Sequence, residues 1–293
     1  MTRDLYQDTT DTIVAAIEAG AGKWVMPWHS QGNGMPLNAA TKATYNGVNV
    51  LTLWATGAAK AYPTNTWASY RQWLALGAQV RAGEKGSPIV YAGTATAKAT
   101  ETGGEDRSFS FLKCSAVFNA AQVEGYQVAA PVRPCLADRV ASADAFIAAT
   151  RADIRHDQGR AYYQPELDFV AMPDFDAFIA TATATATENA YSTLLHELTH
   201  WTGHQSRCAR EFGKRFGNAA YAAEELVAEL GAAFLCAELG ITPAPRADHA
   251  QYIANWLQVL KGDKKAIFTA AAAATKAAQY LRGLQPQALA LAA

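Results

Sequence analysis

The run LLHELTHWTGH at 194–204 holds three of the chain's six histidines, spaced as His196-Glu197-x-x-His200 with His204 four further on. On an α-helix, residues four apart share a face, so His196 and His200 present two imidazoles to one point. Glu197 stands one step round from His196, within reach of a water between the histidines. That spacing provides metal-assisted hydrolysis, most simply of a peptide bond. Two neutral nitrogens hold a divalent cation, and the Glu197 carboxylate takes the proton of the attacking water. Zinc is the ion these donors favour, with manganese or another divalent ion also compatible. Tyr191, Leu194, Leu195, Leu198 and Trp201 give the segment a helix's apolar face, and Gly203 offers an exit. The competing interpretation is a core helix whose histidines are merely hydrogen-bonded.

A catalytic site of this type takes three protein ligands and keeps one open position. The pattern HExxHxxGxxH would supply a third histidine, but its last position falls on Ser206. His204 reaches a metal only if the helix runs past Gly203. The run YAAEELVAELGAAFL at 221–235 is the better source. Glu225 and Glu229 share a face of an otherwise apolar helix, where an unpaired charge is costly. Glu225-Leu-Val-Ala-Glu229 resembles the E-x-x-A-[DN] and E-x-x-x-D layouts of metallopeptidases with a glutamate ligand. That resemblance implies Glu225 on the metal and Glu229 orienting the first histidine from behind. The length of the Glu229 side chain leaves the reverse assignment open. Glu224 lies about 100° round the helix and is expected on a solvated face. Tyr162, Tyr163 and Tyr221 are candidate oxyanion partners, or simply packing residues.

The rest of the chain divides unevenly. Half of its 293 residues are hydrophobic, 17% are charged, and the net charge is −1, which describes a globular chain rather than a disordered one. From Gly20 to Lys98, however, seven cations stand against one acid, Glu84, and five of the seven tryptophans fall in the same stretch. Single-stranded nucleic acid is held by cations along its backbone and aromatic faces under its bases. Lys23, Trp24, Trp28, Lys42, Tyr45, Trp67, Arg71, Arg81 and Lys85 are the candidates for that work. Without a recognition helix or finger motif, binding without sequence preference is the expectation. The alternative is that the tryptophans are core and the lysines are solvated.

The elements that position these residues form an α+β chain. A helix starts near Asp8 and ends at Gly20. Val48–Thr56 is a helix or a buried strand, and Trp67–Leu76 has helical spacing up to Gly77. SPIVYAG (87–93) and SFSFLKCSAVFN (108–119) form a hairpin. A helix follows from Ser142, with short strands at 154–156, 162–165 and 168–173. Helices then occupy about 187–203, 221–239 and 247–283, the last broken near Gly262. The reading is a mixed α/β DNA-binding domain at 1–130, a Pro-containing linker at 131–137 and a mainly helical domain at 138–293. Four scattered cysteines and the lack of a basic-then-apolar start point to reduced thiols in the cytoplasm, and no apolar run suggests a membrane partner.

The runs LYQDTTDTIVAAIEAGAGKWVMPWH, PLNAATKATYNGVNVLTLW, TWASYRQWLALGAQVRAGEKGSPIVY and VFNAAQVEG resemble the ArdC-type antirestriction proteins of conjugative plasmids. They also resemble the N-terminal region of TraC-type plasmid primases. HELTHWTGHQSRCAREFGKRFGNAAYAAEELVAELGAAFLCAELG, with YIANWLQVLKGDKKAIFTAAAAATKAAQYL after it, is similar to the metallopeptidase-like domain that accompanies that region. The resemblance spans nearly the whole chain in order. It implies a sequence-independent single-stranded-DNA-binding domain and a zincin-like domain that together protect incoming plasmid DNA from host restriction. It also implies metal-site roles for His196, Glu197, His200 and the Glu225/Glu229 pair. A host restriction component or another protein is the expected substrate of an active peptidase, and the alternative is a zincin-like domain that serves as a metal-holding scaffold or partner-docking module without protease activity.

Overall fold

Ile13, Val14 and Ile17 recur at helical spacing, and they form the buried face of α1 (Leu5–Ala21). The structure, a computed structural model, describes residues 4–21, 26, 28, 34–97, 107–128, 134–156, 158–212, 219–242 and 249–286. Beyond a two-residue strand β1 (Leu37–Asn38), the ambiguous stretch from Val48 is a helix, α2 (Val48–Ala59). Its threonines do not break it, because Thr52 and Thr56 donate their hydroxyls to the carbonyls four residues earlier, at 3.1 and 2.8 Å.

The helix expected over 67–76 is split. Thr66–Ser69 is a strand, β2, and the helix α3 covers only Tyr70–Ala75. Ser69 and Gln72 form a reciprocal capping box, which starts the helix at Tyr70 and leaves Trp67 and Ala68 to the sheet. After the short strand β3 (Gln79–Val80) comes the expected hairpin. Its strands are β4 (Ser87–Ala97) and β5 (Arg107–Asn119), paired antiparallel along their length, with the connection at 98–106 outside the described residues. The sheet runs β1-β2-β5-β4, and β6 (Val123–Glu124) pairs with β3.

Of the expected linker at 131–137, residues 131–133 lie outside the described residues and the last two are helical. They open α4 (Leu136–Thr150), which begins six residues before Ser142. Strands β7 (Asp153–Arg155), β8 (Tyr162–Gln164) and β9 (Phe169–Ala171) form a sheet in the order β7-β9-β8. Among the described residues, the α-helices that follow are α5 (Ala186–Trp201), α6 (Ala219–Leu239), α7 (His249–Gly262) and α8 (Ala266–Gly283). One hydrophobic cluster unites both halves, taking Ile17, Trp28, Leu51 and Trp54 together with Leu195, Leu226, Phe234 and Trp256. No helix among the described residues is long and apolar enough to cross a membrane.

The metal-motif helix is anchored at its start by a second capping box, Thr185 with Glu188. Glu188 also accepts from Arg139 at 2.7 Å and from the Thr242 amide and hydroxyl at 3.2 and 2.8 Å. Burial pushes the Glu188 carboxyl up, but the bonds from Arg139, Thr185 and Thr242 outweigh it and hold it at about 2, below its ordinary 4.5. A depressed carboxylate contributes stability above its unfolded pKa and loses it as pH falls through the folded one. We therefore expect the melting temperature to fall more steeply between pH 4.5 and 2 in the wild type than in Glu188→Gln. Thermal melts across that window check this.

Candidate metal centre

Helices α5 and α6 pack closely because Gly231 has no side chain. A Cβ there would stand 2.5 Å from Thr199 Cγ2 and 2.8 Å from its Oγ1. Thr199 precedes His200, and Gly231 follows Glu229 by two residues, so this contact brings the histidines of one helix to the carboxylates of the other. Gly231→Ala should wedge the helices apart. We expect a loss of about 1–3 kcal/mol in urea unfolding and a weaker metal response in the same protein.

His196 and His200 are buried, with ring centroids 4.8 Å apart. Both Nε2 atoms face Glu225: His196 Nε2 is 3.5 Å from one carboxylate oxygen and His200 Nε2 is 3.6 Å from the other. Both Nδ1 atoms turn the other way, each to its own acid. His196 Nδ1 is 3.7 Å from Glu229 Oε2, and His200 Nδ1 is 3.1 Å from Glu224 Oε1. The donor atoms of His196, His200 and Glu225 all lie within 4.8 Å of one another. Ligands about 2.0–2.1 Å from a tetrahedral ion stand roughly 3.3–3.5 Å apart, so this spacing fits a divalent cation with little movement. The charge state fits as well. Burial pushes the Glu225 carboxyl up, but the bond from His196, the charges of both histidines and the Tyr221 hydroxyl hold it at about 2. Glu197 is also buried, at 3% exposure.

Glu224 is not on a solvated face. It is 6% exposed, and besides His200 it accepts from Arg210 Nε at 3.0 Å and Nη2 at 2.8 Å. Burial raises the Glu224 carboxyl, and the bonds from His200 and Arg210 bring it below its ordinary value. The expectation failed because the chain folds back after α5. Arg210 donates to the Glu224 carboxylate, the Thr199 carbonyl (2.6 Å) and the Thr202 hydroxyl (2.8 Å), covering that face of α6. Gly203 makes room for this return, since a Cβ there would meet Phe212 Cζ at 2.5 Å and Arg210 Nη2 at 3.0 Å. The adjacent acids Glu224-Glu225 and the basic run after the histidines were the available signals. His204 lies beyond the helix, bonded to Ser206, and is not in the cluster. Tyr163 is engaged by Asp168 and Arg207, and Tyr162 packs on Phe169.

Trp28 and Trp67 correct the expectation of base-stacking tryptophans. Both are fully buried. Trp28 packs against Trp256, and its indole N–H donates to Glu229 Oε1 at 3.3 Å, so it supports the metal centre. Trp67 lies in a cluster with Leu53 and Val117, because β2 places it against the inside of the sheet. Lys23 and Trp24 lie outside the described residues. Lys42, Arg71, Arg81 and Lys85 are exposed, Arg81 paired with Glu84 at 2.8 Å, and Tyr45 is half-buried with its hydroxyl accepting from Asn38.

Comparison with known proteins matches both halves. Residues 3–118 fit the N-terminal domain of the anti-restriction factor ArdC, and residues 141–273 fit a zincin-like metallopeptidase. The uncharacterized protein y4eC of Sinorhizobium fredii (strain NBRC 101917 / NGR234) is 43% identical over 97% of this chain and 94% of its own length. The DNA primase TraC of Escherichia coli is 35% identical over 95% of this chain, which spans only 27% of that primase. The metal-free crystal structure of the antirestriction protein ArdC from plasmid R388 superposes with a TM-score of 0.79 at 42% identity, covering 96% of this chain and 98% of that one. Its Mn(II)-bound structure, with the same coverage, gives 0.76 at 41% identity. A zincin-like domain with two imidazoles converging on one carboxylate suits a divalent metal, and an ArdC N-terminal domain precedes it in the same chain. The chain belongs to the ArdC family of antirestriction proteins.

Proposed function

We propose that this protein binds single-stranded DNA without sequence preference and carries an active metal-dependent peptidase, and that together these protect incoming plasmid DNA from host restriction during conjugation. The observation that carries the peptidase reading is the pair of imidazoles turned toward Glu225 by Nε2 and toward outer carboxylates by Nδ1. In this reading His196, His200 and Glu225 are the metal ligands. Glu224 accepts the His200 Nδ1 proton and so fixes that ring's tautomer and direction, and Glu229, 3.7 Å from His196 Nδ1, is the carboxylate placed to do the same for His196. Trp28 and Arg210 hold those two carboxylates in turn.

Held by His196, His200 and Glu225, a divalent cation would supply Lewis-acid polarisation of a peptide carbonyl and would acidify a water. The Glu197 carboxylate accepts the water's proton as the oxygen attacks the carbonyl carbon, then delivers it to the departing amine nitrogen. The peptide substrate is a host restriction component or another protein the DNA-bound molecule meets.

The DNA reading draws on the family's antirestriction role, on a relative that is a DNA primase, and on the exposed cations Lys42, Arg71 and Lys85. It predicts an affinity for oligonucleotides that falls steeply with salt.

Glu197→Gln tests the peptidase reading. It should keep the fold and the metal while slowing hydrolysis by about 10²–10⁴-fold. The measurement pairs a metal titration with a protease assay and a restriction-protection assay in cells. If protection survives Glu197→Gln unchanged, hydrolysis is not how the protein counters restriction, and the zincin-like domain is a scaffold or a docking module.

A further inference from the structure

With Trp28 and Trp67 inside the core, the aromatic faces for bases must lie elsewhere, and the β4–β5 hairpin offers them. On one face of β4, Ile89, Tyr91 and Gly93 alternate, opposite Ser115, Lys113 and Phe111 of β5. Ile89 packs against the Leu53–Trp67–Val117 cluster. Two residues further out, Tyr91 is 66% exposed, an unusual state for a large ring on a regular strand.

Three features organise the rings there. Tyr91 and Phe111 lie with centroids 6.4 Å apart. Gly93 gives Phe111 its place: a Cβ at Gly93 would stand 2.7 Å from Phe111 Cζ and 3.1 Å from Tyr91 Cε1. Lys113, directly across from Tyr91, holds its ammonium 4.9 Å from the Phe111 centroid. The two strands carry Arg107 and Lys113 and no acid. An exposed tyrosine beside a half-buried phenylalanine and an exposed lysine that forms no ion pair among the described residues, on acid-free strands, complements a ligand with flat rings and a polyanionic backbone.

We propose that Tyr91, Phe111 and Lys113 form a stacking platform for single-stranded DNA, the two rings taking bases and Lys113 a phosphate. This rests on the single-stranded-DNA reading above and gives it a place. Because each ring offers a face and no hydrogen-bond pattern, the platform tolerates any base.

Anisotropy of a labelled oligo-dT over a salt series tests it, using the full chain. Tyr91→Ala, at an exposed position, should weaken binding by about tenfold or more with an unchanged melting temperature. Tyr91→Phe should restore binding. Phe111→Leu, which keeps Gly93 covered without an aromatic face, should weaken binding similarly. Lys113→Gln should lower the log–log salt slope by about 0.7, the share of one phosphate contact. If the wild type binds with a steep salt dependence and Tyr91→Ala binds as well as it does, the platform is wrong and the DNA reading stands. If the wild type binds no oligonucleotide at any salt, both fall. A platform that serves another protein gives one of these two outcomes.

Discussion

Glu225→Ala is expected to abolish the metal response, whereas Glu229→Gln should only weaken it. Glu225 is the one carboxylate that both Nε2 atoms face, at 3.5 and 3.6 Å. Without it the carboxylate that both Nε2 atoms face is gone, and Glu224 and Glu229 sit behind the rings on the Nδ1 side. Outer partners of metal ligands typically account for 10–100-fold in affinity, so the loss in Glu225→Ala should exceed about a hundredfold and that in Glu229→Gln should stay within this range. Melting temperature with and without Mn²⁺ or Zn²⁺ reads the difference. A ligand at a hundred times its Kd stabilises by about 2.7 kcal/mol, so the wild type should show a clear upward shift and Glu225→Ala none. The opposite ranking of the two variants would make Glu229 the ligand.

Glu224→Ala should be the most destabilising single change near the centre. It leaves the Arg210 side chain, only 11% exposed, with its two closest anionic bonds gone. Removing one partner of a buried ion pair costs about 3–5 kcal/mol, because the other charge stays buried alone. Urea unfolding measures this. The double variant Glu224→Met with Arg210→Met should recover much of the loss, since it removes both charges and fills the space. Metal affinity should still fall in the double variant, because His200 Nδ1 has lost its acceptor. A double variant as unstable as the two singles summed would mean that the pair is not a unit.

How far the sequence revealed this centre differs from residue to residue. The meeting of His196 and His200 with the Glu225/Glu229 face was legible because an i, i+4 spacing and acids on the next apolar helix are one-dimensional signals. Glu224 was misplaced because helical phase reports only which face a residue is on. It does not report that a later segment, carrying Arg210, returns to cover that face. Trp28 was misread for a related reason. Next to lysines it matches a base-stacking pattern, while its actual partner Glu229 lies 201 positions away. At Trp67 the aromatic spacing was read as helical, whereas the Ser69–Gln72 box, itself a local signal, marks where strand gives way to helix. The Tyr91–Phe111 pair on the hairpin carries no such one-dimensional signal, since strand faces become distinguishable only once their register is fixed.

Anomalous diffraction from crystals grown with Mn²⁺ or Zn²⁺, collected at that metal's absorption edge, tests the central claim most directly. The account predicts a single peak about 2.0–2.2 Å from His196 Nε2, His200 Nε2 and a Glu225 oxygen, with Glu224 and Glu229 bonded to the Nδ1 atoms behind. A peak ligated by Glu224 or Glu229 in place of Glu225, or no peak between the two histidines, would contradict it.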